Sequence, residues 1–179
     1  MDALTPQLID FIEAQPMFFV ATAAESGRVN VSPKGLDTLR VDGPQQVRWL
    51  NLTGSGNETA AHVAATGRMT LMFCSFDAMP MILRLYGTAR TVHPRDADWG
   101  DAIDGMPELA GSRQVFVLEI ESVATSCGGG VPVMTMDAVR GDEELLPFYE
   151  TLGEEGMQGY WRDKNTLSID GLPTGIVAR

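Results

Sequence analysis

At 179 residues, of which 44% are hydrophobic and 21% charged, the chain can bury one sizeable core and matches the usual size of a single domain. Its net charge of −11 excludes nonspecific attraction to nucleic acid or to an anionic membrane, because both carry the protein's own sign. Residues 1–90 hold 8 acids and 7 Lys/Arg whereas residues 91–179 hold 16 acids and 6 Lys/Arg, so an anionic ligand is expected on the first half.

The N-terminus, MDALTPQL, lacks the basic segment and apolar run of a secretory signal. No apolar stretch reaches the ~18 residues of a membrane span, so a soluble, cytoplasmic protein is expected. Residues 5–15, TPQLIDFIEAQ, open with a capping threonine and a proline and place Leu8, Ile9, Phe11 and Ile12 on one helical face. FFVATA, RVNVSP and VRWLNL follow as strands, the first two joined by a turn at Glu25-Ser26-Gly27 and the third preceded by DGPQQ. Loops this short imply an antiparallel meander.

The period changes in GSGNETAAHVAATGR. Asn57 is expected as an N-cap, Ala60, Val63 and Ala64 as one helical face, and Gly67 as the residue just past the helix end. Strand signals resume with MTLMFCSF, MILRLYGTARTV and VFVLEIESVAT. The acidic PRDADWGDAIDGMPELAGS before the last of these can open a helix at Pro94 or Asp96. At least six strands with few helices imply a closed or nearly closed barrel, since an open sheet would leave long apolar edges. After residue 126 come the glycines of SCGGGVP, an acidic helical stretch DEELLPFYETLGEEG interrupted by Pro147, and YWRDKNTLSIDGLPTG.

Cys74 and Cys127 are too few for a disulfide framework and lack zinc-type spacing. His62 and His93 have no carboxylate pattern beside them, and each reads as a surface or helix-face histidine rather than a metal ligand. A phosphate site is easier to assemble. The helix opening at Asn57 offers free N–H groups and a positive dipole end behind the permissive Gly54-Ser55-Gly56, with hydroxyls at Thr53, Ser55 and Thr59. Ser32 and Lys34, two apart on a strand, project to one face. Glu58 counts against the site, because a carboxylate in the first turn satisfies the dipole in place of a ligand.

The order FFVATA, GRVNVSPKG, VRWLNLTGSGNETAAHV, GRMTLMFCSF, LRLYGTARTV resembles the split barrel of the pyridoxamine 5′-phosphate oxidase-related proteins over about residues 15–125. SCGGGVP and KNTLSIDGLP resemble a flavoprotein-like subgroup of that superfamily. The resemblance implies a mainly β fold, one domain spanning residues 1–179, with the extension 126–179 packed on the barrel or on a partner. It further implies a homodimer with FMN at the interface, lying against the strand with Asn30, Val31, Ser32 and Lys34. Asn51, Leu52 and Thr53 of the next strand and Asn57, Glu58 and Thr59 of the helix start complete the implied site.

Where the family's oxidases carry a serine and two basic residues, this chain has Asn57, Glu58 and Thr59, which leaves Lys34, with Arg84 from LRLYG, to compensate. The C-terminus has no histidine for the family's arginine-histidine motif, which argues against vitamin B6 as the substrate. Trp161 and Arg162 read as a surface aromatic beside a solvated charge. The function so implied is an FMN-dependent oxidoreductase acting on a small molecule or a nicotinamide donor, in which Cys127 could lie near the flavin. Alternatives are a non-catalytic flavin or haem carrier, with His62, His93 or a cysteine as axial ligand, and a deazaflavin-dependent reductase.

Overall fold

A computed structural model describes residues 1–177. Helix α1, Pro6–Glu13, starts where Thr5 and Pro6 dictate, with the Thr5 hydroxyl accepting the Leu8 N–H, and buries Leu8 and Ile12. The strands are β1 Phe18–Thr22, β2 Asn30–Lys34, β3 Leu39–Val41, β4 Gln46–Leu52, β5 Arg68–Cys74, β6 Met81–Val92 and β7 Ser112–Cys127. The helices between and after them are α2 Glu58–Thr66, α3 Trp99–Ile103 and α4 Leu146–Lys164.

All seven strands form one antiparallel sheet in the order β2-β1-β5-β6-β7-β4-β3. This curled sheet is a split barrel: β2 and β3 end it as unpaired edges, so the barrel is nearly closed rather than closed. Lys34 at the end of β2 reaches across the split to Asn51 Oδ1 on β4 at 3.4 Å and lies 5.4 Å from the centroid of the Trp49 ring. The core follows from the period-2 alternation of each strand. Phe18 and Val20 of β1, Trp49 of β4, Leu71 and Phe73 of β5, Leu83 and Leu85 of β6 and Phe116 and Leu118 of β7 all point inward. Phe18 stacks on Phe73 and Trp49 on Phe116, with centroids 5.7 and 4.8 Å apart.

Four sequence expectations are corrected. Strand β3 was not foreseen, being three residues beside a turn. Ala64 is exposed, and α2 instead buries Thr59, Ala60, Ala61, His62 and Val63. Pro147 does not break the last helix. It sits in the first turn of α4, directly after a π-helical turn at Gly141–Leu145, and the break falls at Gly153, whose φ is 61°. Trp161 is buried beneath α4 with Tyr149, Met157 and Ile176, so α4 lays its apolar stripe on the barrel rim. Helix α4 therefore packs on its own barrel. Both cysteines are free, Cys74 buried and Cys127 exposed.

Candidate phosphate site

The sheet and α2 converge on a cavity of about 290 Å³. From β2 come Asn30, Ser32 and Lys34, which alternation turns to one face, and this face meets the Gly54–Gly56 loop and the start of α2. Ser32 Oγ donates to Asn30 Oδ1 at 3.2 Å, and Asn30 Nδ2 donates to Thr59 Oγ1 at 3.2 Å. Asn51, Leu52 and Thr53 line it from β4 and the residue after, with Asn57 and Glu58 at the helix start. Nine of the eleven residues expected in the site are thus assembled; Val31 is not, because alternation turns it to the opposite face at 61% exposure.

Arg84 does not join them. Its neighbours Leu83 and Leu85 point into the barrel, so Arg84 points outward and donates to Ser126 Oγ at 3.0 Å. Its place is taken by Arg113, which sequence reasoning missed. Asn51 pairs with Gln114 and Leu52 with Ser112, so Arg113 is the extra residue of a β-bulge, a device that re-aims a side chain. Arg113 is 3% exposed. Its Nη1 donates to the Gly56 carbonyl at 3.1 Å and to Asn165 Oδ1 at 2.7 Å, and its Nε has no partner.

Two cations thus border one cavity, and no carboxylate forms an ion pair with either among the described residues. Their electrostatics record this. Burial first, and the Arg113 charge second, lower the Lys34 ammonium to about 8. Burial lowers Arg113 to about 10, against a partial offset from Tyr149 and Tyr160, so it stays protonated near neutrality.

Several other groups at the cavity are already committed. The Thr53 hydroxyl donates to Gly111 O at 2.9 Å and accepts from Trp161 Nε1 at 2.8 Å, which makes it structural and fixes Trp161 inside the fold. Asn57 does stand at the N-cap, but its side chain makes no capping bond. It exchanges amide hydrogen bonds with the buried Gln114 at 2.8 and 3.4 Å. The Glu58 carboxylate accepts the Ile169 N–H at 3.0 Å, which engages it with the C-terminal segment.

Neither histidine lines this cavity. Both are buried rather than superficial, and Thr22 Oγ1 lies 3.1 Å from His62 Nδ1. A larger cavity of about 660 Å³ lies between α4 and the barrel rim beside Tyr149, Met157 and Trp161, and Arg95 at its edge is spent on the Gly175 and Ile176 carbonyls. Among the described residues no group of three or more His, Cys, Asp or Glu could hold a metal ion, and no helix is long and apolar enough to cross a membrane.

Residues 4–127 match the family model of pyridoxamine 5′-phosphate oxidase. A protein of Aspergillus flavus, pyridoxamine 5′-phosphate oxidase family protein ustO, is 36% identical over 188 aligned residues, 96% of this chain and 76% of its own. The chain belongs to the pyridoxamine 5′-phosphate oxidase family. Solved structures share the family's fold at low identity. One from Lactobacillus delbrueckii has a TM-score of 0.55 at 22% identity, covering 69% of this chain and 99% of its own. An FAD binding protein from Mycobacterium smegmatis has 0.50 at 14%, covering 69% and 96%. The family match ends at the close of β7, so α4 and the segment after it, which supply Trp161, Asn165 and Ile169 to the site, lie beyond it.

Proposed function

We propose that this family member binds a flavin, FMN as the minimal form, through its terminal phosphate at the Lys34–Arg113 cradle, and uses it as an oxidoreductase. The observation that supports this is a pair of cations on one cavity, neither of which forms an ion pair among the described residues. An orphaned buried guanidinium nitrogen and a lysine held half-neutral near pH 8 are costly arrangements that a dianion relieves. Such a group fits the residues present: Lys34 and Arg113 would hold the phosphate charge, and Ser32, Ser55 and Thr59 would offer hydroxyls. The bound flavin would supply the hydride or single-electron chemistry. The chain's own part is to orient the cofactor and to keep its phosphate in place.

At about 290 Å³ the cavity is at the low end for a pocket that encloses a whole small molecule, which favours a homodimer whose partner walls off the ring. The haem reading gains no support at the cradle, which neither imidazole borders. The reading is that of a cytoplasmic enzyme with a small-molecule or nicotinamide partner.

FMN titration of the purified protein tests this. Quenching of flavin fluorescence and a rise in melting temperature are expected, by mass action on the folded state. Anaerobic bleaching by NADH or NADPH with return of colour in air is expected of an oxidoreductase. Binding without bleaching by any donor would leave a carrier, and no quenching and no stabilisation would refute the flavin reading.

A further inference from the structure

Asn165 follows α4, 38 residues beyond the end of the family match, and is 0% exposed. Every polar group it has is in use. Oδ1 accepts from Arg113 Nη1 at 2.7 Å, Nδ2 donates to the Gly54 carbonyl at 2.9 Å, and the backbone N–H donates to Trp161 O at 2.9 Å. Its carbonyl accepts from the Thr174 hydroxyl. The amide can stand only one way round, because a guanidinium has no acceptor and a carbonyl no donor.

A buried guanidinium is ordinarily held by a carboxylate. Arg113 is held by two neutral oxygens, those of Asn165 and Gly56. Neutral acceptors satisfy its N–H groups without cancelling its charge, so the field in the cradle stays positive, and Arg113 is felt at Lys34. An aspartate at position 165 would keep the acceptor for Arg113 while neutralising that charge, and would give up the donor to the Gly54 carbonyl.

The segment that carries Asn165 is pinned on both sides. Leu167 bridges Pro173, the Ile169 N–H is held by Glu58, and Asp170 accepts from the Arg28 N–H at 2.7 Å and from its guanidinium. We propose that Asn165 is a positioning residue of the phosphate site: it fixes Arg113 beside Lys34 through a neutral amide, which reserves the guanidinium's charge for the ligand. This rests on the phosphate-cradle reading above and adds that the C-terminal segment, outside the family match, completes the cradle.

The test compares the parent with Asn165→Asp, titrated with FMN and with riboflavin, which lacks the phosphate, alongside melting temperature in inorganic phosphate. Expected for Asn165→Asp are an FMN dissociation constant raised by about tenfold or more for loss of a charge-assisted contact and unchanged riboflavin affinity. Inorganic phosphate should raise the parent's melting temperature and not the variant's. If Asn165→Asp fails to fold, Asn165→Ser, which cannot reach Arg113 and adds no charge, should still weaken FMN several-fold and leave riboflavin unchanged.

Parental FMN affinity in Asn165→Asp, or equal losses for FMN and riboflavin, would overturn the proposal. If the parent binds no flavin yet inorganic phosphate stabilises the parent and not Asn165→Asp, the flavin reading fails and the role of Asn165 stands. If phosphate stabilises neither and no flavin binds, both fail.

Discussion

The depressed lysine in the cradle gives the site a pH signature. With Lys34 lowered to about 8, the free protein is about nine-tenths protonated there at pH 7 and about one-tenth at pH 9, from the titration relation behind one unit per decade. A phosphate monoester is already dianionic over that range, its second pKa being about 6. Binding must therefore recruit a proton to Lys34 above pH 8, and FMN affinity should fall about tenfold between pH 7 and 9. Lys34→Ala should weaken FMN at pH 7 by about 10- to 100-fold, the worth of a charge-assisted bond, and abolish the pH dependence. Riboflavin affinity should be flat in both proteins.

The unliganded protein gives the sign a second way. The folded-state pKa of Lys34 lies below the unfolded value, so the protonated lysine opposes folding. That penalty is present in full below pH 8 and is relieved between about 8 and 10.5. The stability of the parent relative to Lys34→Ala should accordingly rise over that window. Fluorescence titrations at half-unit pH intervals decide the matter. An FMN affinity constant from pH 7 to 9, or a Lys34→Ala profile that falls as steeply as the parent's, would refute the reasoning.

Trp161→Phe keeps the aromatic packing but removes the donor to Thr53 Oγ1, and a loss of about 1–2 kcal/mol in urea unfolding is expected. Gly87 lies opposite a bulge where an added Cβ would meet Glu119 O at 1.9 Å, so Gly87→Ala should lower stability by about 3 kcal/mol, read as a drop in denaturation midpoint. The Asp170 carboxyl is held below its usual range, first by the Arg28 N–H and then by the guanidinium. Its contribution is present above about pH 4 and lost as pH falls through the lower folded value. The melting-temperature gap between the parent and Asp170→Asn should be constant from pH 5 to 8 and close in acid.

What the sequence revealed and what it hid divide by range. Helix α1 was legible because Thr5 and Pro6 act within one turn, and Gly67 because its φ of 69° needs only its own lack of a Cβ. The strands β1, β4, β5, β6 and β7 were legible as short runs rich in β-branched and aromatic residues, which is also a local signal. Arg113 was hidden because what aims it is the two-against-one register of β7 on β4, a pairing between segments some sixty residues apart. A signal did exist: a cation at the mouth of the apolar run VFVLEI, whereas Arg84, expected to compensate, is sent outward by the alternation of its strand.

Trp161 was misread for the opposite reason. Its sequence neighbours Arg162, Asp163 and Lys164 are charged, whereas of the partners that bury it Met157 stands one turn before it and Tyr149 lies across the kink at Gly153. The one-turn spacing of Met157 and Trp161 is local and readable, but their contact with Tyr149 forms across the Gly153 kink and is not. Packing across that kink, rather than any local pattern, therefore concealed both the buried tryptophan and the C-terminal wall of the site.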